Sequence, residues 1–307
     1  MEPIIIGIDH GNAAIKSRHI SFSNGITEYD FEPYTKQNVL EYGGKYYVCG
    51  TGRLPLLKDK TTNDNFYLLT LAAIAKELEC RAAESRADII LAAGLPLTGF
   101  GLHKERFKQY LLRGKTERFV FEGRAYEIAI RDALLYPQGY AAILSNMRLI
   151  LGEPSVILCD IGGWTVDVMR LDNGIPDAGT CRSLELGMIR CFDEIAEQVR
   201  RNTGKSLTAA QIETALKGDA CSIDSAAKTI IREQGRRYAL KLLSAISESG
   251  FDATAMPVIF LGGGAGFMKR HIRPEEGLCR VIIMDSVSAS AIGYEYAAQN
   301  ALKRTKA

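Results

Sequence analysis

The chain is poor in the residues that would mark several common functions. It has one tryptophan and four histidines, and aromatic side chains make up only 8% of its 307 residues. Histidines this few and scattered supply no clustered metal site, and no serine, histidine and acid pattern or nucleophile elbow accompanies them. The seven cysteines, at positions 49, 80, 159, 181, 191, 221 and 279, form no CxxC pair. An odd, irregular set argues against a disulfide framework or a zinc site and predicts buried thiols in a reducing cytoplasm. A net charge of +2 shows no excess of one sign. Strong direct binding to duplex DNA needs a dense basic stripe and is not expected. The longest apolar runs, Ala87 to Leu97 and Pro257 to Ala265, are strand-sized and interrupted, so no membrane span is predicted. Met1-Glu2-Pro3 leads directly into a strand without a secretory pattern, and Ala301 to Ala307 is too short for a membrane-tethering helix.

Against these absences stands a duplication. Val156-Ile157-Leu158-Cys159-Asp160-Ile161-Gly162-Gly163-Trp164-Thr165-Val166-Asp167 echoes Ile4-Ile5-Ile6-Gly7-Ile8-Asp9-His10-Gly11-Asn12, placed about 150 residues earlier. In each copy an apolar strand ends in an aspartate, and small or glycine-rich residues turn the chain into a second strand. Such a turn brings backbone N–H groups close to phosphate oxygens, and a carboxylate at the strand end can hold a hydrated divalent cation. Either copy alone is weak evidence, since an apolar strand followed by Asp and Gly is more often an ordinary hairpin. The pair predicts two lobes closing on one nucleotide: residues 1–150, residues 151–285, and a C-terminal helix over 286–307 returning toward the first lobe. With 47% hydrophobic residues, the chain has ample core for both.

In the first lobe the patterning predicts strands at Ile4 to Asp9, Ala14 to Ser21, Thr27 to Glu32 and Lys45 to Cys49. A helix capped by Thr62 and Asn63 runs through Arg81, and a buried strand spans Ala87 to Ala93. A basic helix at Lys104 to Arg113, a hairpin around Glu122-Gly123-Arg124, and a helix from Gln138 to Met147 behind Pro137 complete it. In the second lobe, two strands around Gly162-Gly163 continue through Asp172-Asn173-Gly174 into a third. Helices follow at Gly187 to Asn202, Thr208 to Leu216 and Ser225 to Ser249. A strand from Met256 runs into Gly262-Gly263-Gly264, then come a short helix, a strand at Arg280 to Met284 and a helix from Ser286 to Leu302.

Four segments carry candidate chemistry. Asp9 would hold the metal through water, while the backbone of His10, Gly11, Asn12 and Ala13 and the side chains of Asn12 and Lys16 face phosphates. Lys16 taken alone is a solvated strand lysine, and its assignment rests on its place after Asp9. Asp160 is the partner metal residue, again through water, with Gly162, Gly163, Trp164 and Thr165 forming the second clasp. The Trp164 side chain reads as packing rather than base stacking. Asp167 either orients water or metal on the face shared with Thr165 or is a surface carboxylate. Gly262, Gly263 and Gly264 permit a flat base and ribose against the backbone or form only a helix entry. Gln138 can orient an attacking water without abstracting a proton.

With these residues assembled, the chain resembles the actin, sugar kinase and heat-shock chaperone ATPase superfamily, and within it the ParM/StbA family of plasmid-segregation actin-like proteins. Gly7 to Lys16 is similar to the first phosphate motif, Asp160 to Asp167 to the second, Leu261 to Gly266 to the adenosine motif, and Asp285 to Tyr296 to the second connecting helix. Ala93-Gly94-Leu95-Pro96-Leu97-Thr98 resembles the Leu-Pro-Leu-Thr segment particular to ParM/StbA. Gln138 lies 22 residues before Asp160, at the family spacing for the water-positioning residue. It is glutamine, as in actin, where plasmid ParM proteins carry glutamate, and Trp164 replaces a smaller residue. The resemblance implies an α/β, actin-like fold, a duplicated ribonuclease H-like two-lobed ATPase. It further implies Mg2+ and ATP (GTP as the alternative) in an interlobe cleft, nucleotide-dependent filaments in a cytoplasmic cytoskeleton, and plasmid partition through a DNA-binding adaptor protein. A small-molecule kinase of the same superfamily is the competing reading, but it needs a carboxylate base where Gln138 stands. A chaperone or scaffold ATPase is the third, and the length leaves no peptide-binding domain for it.

Overall fold

The apolar run Ile4–His10 forms strand β1, whose C-terminal half is fully buried. The computed structural model describes residues 2–57 and 59–306. Met1, where the reading of the N-terminus starts, and Ala307, which closes the expected terminal segment, lie outside them. The chain forms two compact units, Met1–Asn146 with Val287–Ala307, and Met147–Ser286.

In the first unit β1 is followed by β2 (Ala14–Lys16), β3 (Ser21–Ser23), β4 (Ile26–Tyr29), β5 (Val39–Tyr42) and β6 (Lys45–Cys49). Then come α1 (Asn65–Cys80), β7 (Arg86–Leu95), α2 (Phe100–Leu111), β8 (Glu117–Phe121), β9 (Arg124–Pro137) and α3 (Tyr140–Leu144). The second unit holds β10 (Ser155–Ile161), β11 (Val166–Asp172), β12 (Ile175–Leu184), α4 (Met188–Thr203), α5 (Ala209–Lys217), α6 (Ser225–Glu248), β13 (Val258–Leu261), α7 (Ala265–His271) and β14 (Val281–Ile283). Helix α8 (Ala289–Lys306) belongs to the first unit.

The duplication read from sequence is visible in strand order. The first sheet runs β3-β2-β1-β7-β9-β8-β5-β6-β4 and the second β12-β11-β10-β13-β14. In both, the opening strand pairs antiparallel with the next, that one antiparallel with the third, and the opening strand parallel with a later strand that is itself parallel to the fifth. The parallel pairs need long crossovers, and α1 and the α4–α6 helices occupy those connections. Local chemistry explains several boundaries. Asn173 and Gly174 both take positive φ, the geometry of a two-residue hairpin turn between β11 and β12. Thr208 and Gln211 close a capping box on α5.

Four expectations are corrected. The strand expected over Ala14 to Ser21 breaks after Lys16, because the Ser17 N–H donates to Ile20 O at 2.9 Å in a tight turn. The N-cap of α1 is Asp64 rather than Thr62 or Asn63, although Asn63 Oδ1 still accepts the Asn65 N–H at 3.1 Å. Pro137 does not start a helix: it pairs with Leu95 as the last residue of β9, and only Tyr140–Leu144 is α-helical, with a 3-10 turn at Met147–Ile150. The cysteines are not uniformly buried, since Cys80 and Cys279 are exposed.

Helix α8 is fixed to its own unit by close packing and buried charge. A Cβ on Gly7 would lie 2.0 Å from Ala291 O, and one on Gly293 2.2 Å from Ala141 O, so backbone meets backbone at both points. Glu295, 3% exposed, accepts from Arg18 Nε at 3.0 Å and Arg81 Nη2 at 2.7 Å. Arg81 also donates to the buried Glu77. Burial opposes ionisation of Glu77, but donors from Ser17, Arg81 and His19 hold its carboxyl below the usual range. Arg81 is the partner that both buried carboxylates share, so Arg81→Ala should destabilise by about 3–5 kcal/mol, the scale of a broken buried pair.

Candidate functional site

In the first unit, Asp9 is the penultimate residue of β1 and is 6% exposed. The β1–β2 register sets Lys16 directly opposite, and its Nζ lies 3.2 Å from Asp9 Oδ2. Gln138 Nε2 donates to Asp9 Oδ1 at 3.1 Å. Burial raises the cost of charge on Asp9, but Lys16 and Lys60, with the hydrogen bonds from Lys16 and Gln138, hold its carboxyl below the ordinary value. An ionised carboxylate offers acceptors only, so the amide of Gln138 matches it, whereas a glutamate at 138 would set two acceptors face to face. Gln138 reaches this position from a turn rather than from a helix. Its N–H donates to Leu95 O at 2.9 Å, and Gly139 turns the chain with φ +72°.

The loop over Gly11, Asn12 and Ala13 is short, and a Cβ on Gly11 would lie 2.7 Å from Ala14 O. The His10 ring points inward, where Nε2 is 2.8 Å from Thr70 Oγ1 and the ring packs edge-on against Phe66 and Phe107. Burial, assisted by the charge of Lys60, pushes His10 down to about 3, so its ring is neutral at physiological pH. Two residues that sequence reasoning missed also meet this loop. Asn24 bonds its carbonyls, and Lys60 Nζ donates to His10 O. Nothing local marks either one. Asn24 precedes a glycine as many turn residues do, and Lys60 lies among polar residues ahead of α1.

In the second unit, Asp160 is likewise the penultimate residue of β10. The β10–β11 register sets Asp167 opposite it, and directly opposed residues of an antiparallel pair project to one face. Thr165 Oγ1 lies 3.5 Å from Asp167 Oδ2. The position held by Lys16 in the first unit is thus a carboxylate in the second. Gly162 N–H donates to Thr165 O at 2.9 Å, closing the turn. The carbonyls of Gly162, Gly163 and Trp164 accept the N–H groups of Met188, Ile189 and Gly187, so the loop is bonded to the start of α4. Trp164 holds its place here through its backbone.

The three glycines after β13 differ. Gly262 has φ +84°, and a Cβ there would lie 2.4 Å from Asp160 Oδ1. A Cβ on Gly264 would meet Ile161 Cγ2 at 2.2 Å. Only Gly263 of the three has open space around its Cβ position. Close packing against β10 therefore explains two of the three, a cause not legible in the glycine run.

Among the described residues, no group of three or more His, Cys, Asp or Glu side chains forms a metal cage. The donor set fits a hydrated Mg2+ held by one or two carboxylates and ligand phosphates, the usual mode for that ion. Each unit taken by itself offers carboxylates at the end of its opening strand: Asp9 in the first, and Asp160 with Asp167 in the second. Among the described residues, no helix is long and apolar enough to cross a membrane.

Comparison with known proteins agrees with this architecture. Residues 9–140 match the model of the N-terminal domain of actin-like proteins, and residues 158–274 match that of the C-terminal domain of the MreB-like archaeal actin homologue. No curated protein sequence matches the chain significantly. Among solved structures, the archaeal actin homolog Ta0583 superposes with a TM-score of 0.78 at 18% identity, covering 97% of this chain and 99% of that one. ParM from Bacillus thuringiensis with ATP gives 0.70 at 15% identity, over 99% of this chain and 100% of that one. The Alp12 filament structure gives 0.66 at 17% identity, over 98% and 100%. At these identities the likeness is one of fold. Two adjoining family matches and agreement along the whole length lead to one conclusion: the chain belongs to the actin-like proteins and has their two-lobed α/β fold.

Proposed function

We propose that this actin-like protein binds ATP with Mg2+, hydrolyses it, and assembles into filaments whose persistence follows the state of the nucleotide. We further propose that the filaments segregate plasmid DNA in the cytoplasm, with a DNA-binding adaptor protein making the DNA contact. The observation that carries the reading is the pair of aspartates. Asp9 and Asp160 are the penultimate residues of equivalent strands in two equivalent five-strand sets, each followed by a tight turn.

Within this reading the two loops differ in task. The loop of Gly11, Asn12 and Ala13, with Lys16, binds phosphate through backbone N–H groups and one ammonium. Asp160, with Asp167 and Thr165, serves the water shell of the cation in the second unit, and Asp9 is the corresponding carboxylate of the first. Magnesium, when bound, neutralises charge on the phosphate oxygens. Gln138 orients the attacking water, and Gly263 offers open backbone to the base. Likenesses to Ta0583 in complex with ADP, to ParM with ATP and to the Alp12 filament support the reading.

Purified protein mixed with Mg-ATP should release inorganic phosphate. A small metabolite, sugar or acid, added to the reaction should remain unphosphorylated. A phosphorylated metabolite in place of free phosphate would move the assignment to the kinase of the same superfamily.

A further inference from the structure

Four consecutive carbonyl groups of the first loop are bonded to two side chains and one backbone N–H from elsewhere in the first unit. Lys60 Nζ donates to His10 O. Asn24 Nδ2 donates to Gly11 O at 3.3 Å and to Asn12 O at 3.0 Å, and the Asn24 N–H donates to Ala13 O at 3.2 Å. Asn24 is itself locked. It is 2% exposed, its Oδ1 accepts the Leu54 N–H at 3.3 Å, and the next residue, Gly25, is packed so closely that a Cβ would lie 2.0 Å from Thr51 O. Lys60 is held by its neighbourhood as well, since its ammonium lies 5.4 Å from the centre of the Phe66 ring. The adjacent Asp59 accepts from Thr61 at 2.8 Å and pairs with Arg106 at 2.7 Å.

In a trans peptide the C=O of one residue and the N–H of the next point in opposite directions. Holding the carbonyls of residues 10–13 toward Lys60 and Asn24 therefore turns the N–H groups of Gly11, Asn12, Ala13 and Ala14 away from them. We infer that Asn24 and Lys60 are the positioning residues of the first phosphate loop, acting through its carbonyl oxygens to aim its N–H groups at the phosphates of the nucleotide. The inference rests on the proposed nucleotide binding and adds how an otherwise flexible glycine loop is set in advance. Preorganised donors bind an anion without having to be ordered by it.

The test uses Asn24→Asp, which keeps the Oδ1 acceptor for Leu54 but turns a carboxylate toward two carbonyl oxygens, and Lys60→Met, which keeps the apolar stem. Affinity for a non-hydrolysable ATP analogue with Mg2+ should fall about tenfold or more in each, the scale of one to two lost hydrogen bonds. Lys60→Arg, which retains the donor, should recover most of the loss. Melting temperatures without nucleotide report folding separately, and the upward shift that nucleotide gives the wild type should shrink in both variants. Should Asn24→Asp fail to fold, Lys60→Met and Lys60→Arg decide the matter. Wild-type affinity in Lys60→Met, or a loss that Lys60→Arg does not restore, overturns the inference while leaving the function standing. A wild-type protein that binds no nucleotide overturns both.

Discussion

Asp160→Ala should abolish ATP hydrolysis, with the rate falling about 10³-fold or more, the scale found when a group that stabilises developing charge is removed. Binding of the Mg-nucleotide should weaken in the same variant. The reason is local. Asp160 and Asp167 oppose each other across β10 and β11 and project to one face, and Gly262 is packed directly against the Asp160 carboxylate. Asp9→Ala should behave alike, because it removes the carboxylate that both Lys16 and Gln138 contact. Steady-state phosphate release together with a nucleotide titration reads both effects, and turnover at the wild-type rate in either variant refutes the assignment of the two aspartates.

A different pattern is expected of Gln138→Ala. A residue that orients the attacking water contributes in the transition state and little to nucleotide affinity. The hydrolysis rate should fall about 10²-fold, the scale of misplaced reacting groups, while the dissociation constant for ATP changes only a few-fold. The bond from Gln138 Nε2 to Asp9 makes this a sharper test than sequence spacing alone would, because it offers a structural role as the rival. If affinity and rate collapse together, Gln138 serves chiefly to hold Asp9. The matched geometry of amide and carboxylate also gives a physical reason for glutamine at this position: a glutamate there would be repelled by Asp9 unless one of the two took up a proton.

The fold was legible wherever one local rule dominated. The apolar strands ending in Asp9 and Asp160 were readable because a buried parallel strand has no polar alternation to confuse it. Asn173-Gly174 was readable because few other residue pairs accept two left-handed conformations in succession. Legibility failed where a distant partner outweighed a local preference. Pro137 satisfies the rule for a helix start, yet parallel pairing with Leu95 keeps it in β9, and the helix begins only after Gly139. The strand expected to continue to Ser21 stops at Lys16 because Ser17 and His19 turn toward Glu77 of α1, 60 and 58 residues away. The residues proposed for the site divide in the same way. Asp9 and Lys16 could be matched because two strand positions and a hairpin fix their spacing. Asn24 and Lys60 could not, since side chains that bond a loop's carbonyls from 12 and 50 residues away leave no periodic trace. Gly262 and Gly264 were noticed for what they could admit, and the structure gives each an internal cause in the packing against β10.

Polymerisation is the central claim, and sedimentation of purified protein tests it most directly. Head-to-tail contacts between identical subunits form an open assembly, so growth needs a critical concentration and is biased by whichever nucleotide state the contacts prefer. At tens of micromolar protein, a non-hydrolysable ATP analogue with Mg2+ should drive the chain into the pellet above a threshold concentration, while ADP should leave it in the supernatant. A chain that stays monomeric with the analogue at every concentration tried would contradict the account.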